Sequence, residues 1–159
     1  MIRYLTILVL LAAGPAAAKS AEGPVDHYVQ SNANAAGQPF ADKQVFEAFH
    51  GKAGVDRIVD DLVDRCVEDH RISELFKATD LVRLRRTLKE QFCYLLAGPC
   101  DYTGRDMTAA HKDQGIQNAD FNALVEHLQA AMDKEGVPFR AQNRLLAKLA
   151  PMQRPTVER

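Results

Sequence analysis

The chain has 159 residues, of which 47% are hydrophobic and 26% charged, with a formal net charge of -1. This composition is ordinary for a soluble globular protein, and the length accommodates one domain around a single buried core. A charge balance so close to neutral gives no electrostatic reason to bind nucleic acid or any other polyanion.

Residues 1–18, MIRYLTILVLLAAGPAAA, begin with a basic Arg3, continue through an apolar run from Leu5 to Ala13 and end on the small residues Ala16, Ala17 and Ala18. This is a secretory signal pattern, and it predicts cleavage after Ala18 and a secreted or periplasmic protein. The apolar run is shorter than the roughly 20 residues of an easy transmembrane helix. Retention as an uncleaved membrane anchor is the alternative; after cleavage no stable membrane insertion is expected. Residues 19–43, rich in Ala, Gly, Asn, Gln, Ser and Pro, carry few large apolar side chains and read as a flexible N-terminal arm.

A helical domain is expected over residues 44–152. Phe46 and Phe49 mark a short first helix that ends at Gly51. After Gly54, Val55, Ile58, Val59, Leu62, Val63, Cys66 and Val67 recur at steps of three and four, which puts them on one buried face. A corner follows with Ile72, Leu75 and Phe76. Thr79 or Asp80 then caps a helix to about Leu96, with Leu81, Leu84, Leu88, Phe92 and Leu95 inward, before the Gly98-Pro99 stop. A loop leads to a short helix with Met107 and His111. Asn118 or Asp120 caps the next helix, which runs to Gly136. Pro138 begins the last one, whose inner face carries Leu145, Leu146 and Leu149, and Pro151 ends it, leaving 153–159 as a tail. No segment alternates with period two for long enough to make a sheet, so the fold class is all-α.

His111 is the residue with the most chemistry to offer. Neutral imidazole is a good iron ligand, and a single histidine with no second histidine or cysteine at metal-ligand spacing suits an iron whose equatorial ligands come from a porphyrin. On spacing alone, a lone histidine beside helical apolar residues is more often a structural residue. His27, His50, His70 and His127 have no spacing that pairs them; His70, between Asp69 and Arg71, reads as a helix-end residue and His127 as a packing or surface one.

The wording around His111 carries more. GPCDYTGRDM, then AHKDQGI, then DFNALVEHL, with VDDLVDRCVEDHRISELF upstream, resembles the truncated haemoglobins, in particular their first group, over residues 45–152. The resemblance implies a truncated globin fold, a two-over-two helical sandwich, and haem b (iron protoporphyrin IX) with His111 as its proximal ligand. It further implies a pocket lined by Phe76, Leu84, Leu88, Phe92, Tyr102, Met107, Ile116, Phe121 and Leu124, with Thr79 and Arg83 placed to reach a propionate. Gly104 and Gly115 bracket the iron-bearing segment, as paired glycine stretches do in the family. Two departures stand out. His50 occupies the first place of the family's double glycine at Phe49-His50-Gly51-Lys52, and the distal donors are replaced: Val63 stands where a tyrosine is usual and Leu88 where a glutamine is. Leu62, Val63, Leu84 and Leu88 make that side apolar, with Gln91 as its one polar member and Thr87 flanking the same face.

Three cysteines, Cys66, Cys93 and Cys100, leave at least one thiol over, and in an exported protein a disulfide between two of them is plausible without the sequence choosing the pair. The functional expectation is a haem protein that binds O2, NO or CO at a five-coordinate iron. Redox turnover such as NO dioxygenation would require an electron donor outside the chain. The alternative is a haem-free helical interaction module.

Overall fold

The computed structural model describes residues 22–158. The signal pattern at 1–18 and its cleavage point lie outside the described residues. Among the described residues seven α-helices follow one another: α1 Gln44–Ala48, α2 Gly51–Glu68, α3 Leu81–Leu95, α4 Met107–His111, α5 Asn118–Lys134, α6 Phe139–Leu149 and α7 Gln153–Thr156. No strand occurs among the described residues. Helix α2 packs against both α3 and α5, and α5 against α6, so that two antiparallel pairs lie two over two.

The buried stripe of α2, Val55, Ile58, Val59, Leu62, Val63 and Cys66, meets Leu128 and Met132 of α5 and Leu145 of α6 in the main core. Val67 departs from the expected stripe and is turned outward. Asp80 caps α3, its carboxylate accepting from the Arg83 amide, and Asp120 of α5 reaches back to accept from the Gln117 amide at 2.8 Å. The corner before α2 keeps two successive left-handed residues, His50 (φ 59°) and Gly51 (φ 63°). A non-glycine residue there costs roughly 1–2 kcal/mol. What offsets it is tertiary: His50 Nδ1 lies 3.0 Å from Glu135 Oε1 just past α5, and Arg57 binds the same carboxylate.

Both ends of the chain make contacts beyond the expected helical domain. From Glu22 onward the segment read as an arm is largely exposed but tied to the domain by individual hydrogen bonds. A 3₁₀ turn at Asn32–Ala35, capped by Ser31, buries Ala35 completely. Asn32 accepts from the Tyr102 amide at 2.7 Å and donates to Asp101 at 2.9 Å, and Asn34 donates to the Gly104 carbonyl at 3.1 Å. The contacts are polar and aimed at loop backbone, so a scarcity of large apolar residues did not prevent packing. At the other end, Pro151 does not end the structure. It sits in a 3₁₀ turn, Ala150–Met152, that leads into α7, which packs against α4, and the Glu158 amide donates to the Ile116 carbonyl at 2.9 Å.

Cys93 and Cys100 form a disulfide that ties the end of α3 to the loop behind it, and Cys66 is a buried free thiol. Among the described residues no helix is long and apolar enough to cross a membrane.

Candidate functional site

A cavity of about 390 Å³ opens between α2, the corner before α3, α3 itself, α4 and the start of α5. All the predicted pocket residues but one line it: Leu62 and Val63 from α2, Phe76 and Thr79 from the corner, Arg83, Leu84, Leu88 and Gln91 from α3, Tyr102, Met107, His111, Ile116, Phe121 and Leu124. The exception is Phe92, which is buried in the main core. Its neighbour Gln91 still lines the cavity, so the difference is one of direction: adjacent helix residues are turned by about 100° from each other, and Phe92 is turned into the core.

His111 closes α4, whose first turn is capped by the Asp106 carboxylate. Its Nδ1 donates to the Met107 carbonyl one turn back at 2.7 Å. That bond uses one ring nitrogen and fixes the ring plane. Among the described residues Nε2 has no hydrogen-bond partner, and the ring lines the cavity. An imidazole held in this way by a backbone carbonyl is oriented and made more basic as a metal ligand.

The glycines flanking α4 work by different means. Gly115 has φ +66° with open space around it, so it serves the backbone. Gly104 serves packing: a Cβ there would stand 2.2 Å from the Tyr102 hydroxyl. Tyr102 is buried, its hydroxyl donates to the Arg105 carbonyl at 2.9 Å, and burial pushes its ionisation up to about 12. It is a neutral wall, not an acid.

The side formed by α2 and α3 is apolar at Leu62, Val63, Leu84 and Leu88. Both flanking polar groups are engaged elsewhere. Thr87 Oγ1 bonds back to the Arg83 carbonyl at 3.0 Å. Gln91, expected as the polar member of this wall, donates to the Ala35 carbonyl at 3.1 Å and lies against the sulfurs of Met152 and Met107 at 3.6 and 3.8 Å. Packing of the N-terminal segment therefore takes an amide hydrogen of Gln91 away from the cavity. At the rim, Thr79 Oγ1 donates to the Leu75 carbonyl at 3.0 Å, while the Arg83 guanidinium faces Asp80 at 3.5 Å and Glu22 at 3.4 Å.

Sequence reasoning missed Val25, Tyr28 and Cys66 as cavity residues. Cys66 could have been found, since it lies one turn from Leu62 and Val63 on the same stripe; burial pushes its thiol up to about 12 and leaves it unreactive. Val25 and Tyr28 had no periodic signal. An apolar slot with one oriented imidazole whose Nε2 is open, and a cation at its rim, matches the needs of a haem: water exclusion, a single axial ligand and an anchor for carboxylates.

The bacterial-like globin family matches residues 44–157 of the chain. A group 1 truncated hemoglobin of Tetrahymena thermophila is 32% identical over 93 residues, covering 58% of this chain and 77% of that protein. The group 1 truncated hemoglobin GlbN of a Synechocystis species is 33% identical over 98 residues, covering 59% and 79%. The crystal structure of truncated hemoglobin from Tetrahymena pyriformis in its Fe(III) form superposes with a TM-score of 0.69 at 26% identity, covering 72% of this chain and 98% of that one. The chain belongs to the bacterial-like globins, as a group 1 truncated haemoglobin, and a haem cofactor and a small gas ligand follow from that membership at the level of the family.

Proposed function

We propose that this protein is exported and binds a diatomic gas at a haem b iron for which His111 is the only protein ligand. The observation that carries the reading is the His111 Nδ1 bond to the Met107 carbonyl at 2.7 Å, which leaves Nε2 as the donor atom toward the cavity. Bound haem would supply an iron with an open position for a small gas on the side away from His111. The chain has no C-x-x-C-H run for covalent attachment, which supports noncovalent haem b. Phe76, Leu124 and the aliphatic wall keep water from the cavity, and Arg83 and Thr79 are the rim groups that would meet propionates. Val63, Leu84 and Leu88 have no ligating atom, which supports a five-coordinate ferrous state.

The same wall bears on the choice of gas. Oxygen draws negative charge from the iron and is held by a distal hydrogen-bond donor; carbon monoxide stays nearly neutral and gains less. A hydrogen bond to such a partly charged group contributes about 1.5–3 kcal/mol, a factor of about ten to a hundred in affinity. With that donor replaced, the pocket favours carbon monoxide or nitric oxide relative to tyrosine-bearing relatives, and oxygen storage is the poorer fit. Export is supported by the signal pattern at 1–18 and by the Cys93–Cys100 disulfide, a bond typical of oxidising compartments.

The test is a haemin titration of the purified protein followed by its absorption spectrum. A saturable Soret band that shifts with carbon monoxide after reduction is the expected result. A protein that gains no such band would be a haem-free helical module.

A further inference from the structure

We infer that residues 22–28, which precede the family-matched region, form an additional wall of the haem site, clasped over its edge by Glu22 and Arg86, and slow the loss of the cofactor. The inference rests on the reading that the cavity holds haem.

The segment has no regular structure, yet it is tied on both sides of Val25. On one side the Arg86 guanidinium grips both oxygens of Glu22 at 2.5 and 3.0 Å, Arg83 approaches the same carboxylate at 3.4 Å, and the Gly23 amide donates to Asp80 at 2.7 Å. On the other, Arg105 donates to the Asp26 carbonyl at 3.1 Å and lies 5.2 Å over the Tyr28 ring, whose hydroxyl donates to the Thr103 carbonyl at 2.8 Å. Arg86 is itself fixed by Glu90 at 2.9 Å and Thr103 at 2.5 Å, so the clasp closes on a preformed network. Val25, between the ties, and Tyr28, within the second of them, line the cavity with Thr79 and Arg83.

The division of labour between the two arginines makes the clasp compatible with a bound propionate. Glu22 and a propionate would compete for Arg83. Arg83 also donates to the Gly23 carbonyl, so its turning to a propionate gives up that bond; the segment then stays held by the two Arg86–Glu22 hydrogen bonds and by the Gly23 amide on Asp80. The same carboxylate feels both cations: its ionisation is held below the usual carboxylate range by the Arg86 hydrogen bond foremost.

The experiment is haem release from the full-length haem-loaded protein to an excess of an apo-globin scavenger. Glu22→Ala is expected to release haem about two- to fivefold faster than the natural chain. Asp56→Ala, which removes the exposed Lys52–Asp56 pair at 2.8 Å, should match the natural rate. High salt should bring the natural rate toward that of Glu22→Ala. Equal release by the natural chain and Glu22→Ala, both carrying a full Soret band, would overturn the clasp while leaving the haem reading intact. Failure of every form to take up haem would overturn both, and the missing Soret band separates that outcome from the first.

Discussion

Gln91 Nε2 donates to the Ala35 carbonyl at 3.1 Å across 56 positions of sequence, joining the middle of the chain to its N-terminal segment inside the protein. Both residues are buried, so the carbonyl has no water to turn to if the amide is removed. Gln91→Leu is expected to lower stability by about 1–3 kcal/mol, the cost of a buried acceptor left unmatched, and to leave oxygen release unchanged. Denaturant unfolding and stopped-flow oxygen release check the two halves. A faster oxygen release in Gln91→Leu would mean that this amide serves the gas.

The apolar distal wall makes a second prediction. Val63→Tyr places a hydroxyl where Val63 now meets Leu62, Leu84 and Leu88 around the cavity. Oxygen release should slow by about ten- to a hundredfold, with a much smaller change for carbon monoxide. Slow release in the natural protein that the tyrosine does not alter would reveal another donor.

How far the residues announced these arrangements depended on which force made each one. The stripe of α2 and the inward row of α3 are apolar periodicities, which give only an inward face; the resemblance implied the pocket, and Val63, Leu84 and Leu88 lie on the cavity. Phe92 was implied as a pocket residue by the same resemblance, but it is buried in the main core while its neighbour Gln91 lines the cavity. Asn32, Asn34 and Tyr28 read as loop residues because their packing is by hydrogen bonds to distant backbone, which leaves no periodic trace. The left-handed His50 was legible as a departure; the Glu135 carboxylate that offsets it is 85 residues away. The disulfide needed the geometry that brings Cys93 and Cys100 within 5.8 Å between Cα atoms.

That disulfide closes a short loop, with a sequence separation of 7, so its stabilisation by chain entropy is about 2–3 kcal/mol. Reduction, or Cys100→Ser, should lower the urea midpoint accordingly. Thiol titration of the folded, unreduced protein should find no reactive group, since Cys66 is buried with its ionisation pushed up to about 12; denaturation should release one thiol. A thiol that reacts quickly in the folded protein would contradict the burial of Cys66.

Glu135 sets an acid dependence. Its carboxyl is held down to about 2, by the Arg57 hydrogen bond first and the His50 bond second. A depressed carboxyl contributes stability that is complete above its ordinary 4.5 and is lost as pH falls through about 2. The melting-temperature gap between the natural protein and Glu135→Gln should therefore hold steady from neutral pH down to 4.5 and close between 4.5 and about 2. A gap that does not narrow on acidification would show that the carboxylate's partners do not favour its charged form.

The central claim is that His111 alone holds the iron, and the most direct measurement is the ferrous absorption spectrum of the His111→Ala variant after haemin reconstitution, beside His127→Ala. His127 already binds Asp69 at 2.8 Å and lies outside the cavity lining, so its variant should keep the spectrum of the natural protein, which the proposal expects to be five-coordinate and high-spin. His111→Ala should lose stable haem, or keep it with an altered spectrum that added imidazole returns toward the natural one. An unchanged imidazole-type spectrum in His111→Ala would contradict the account.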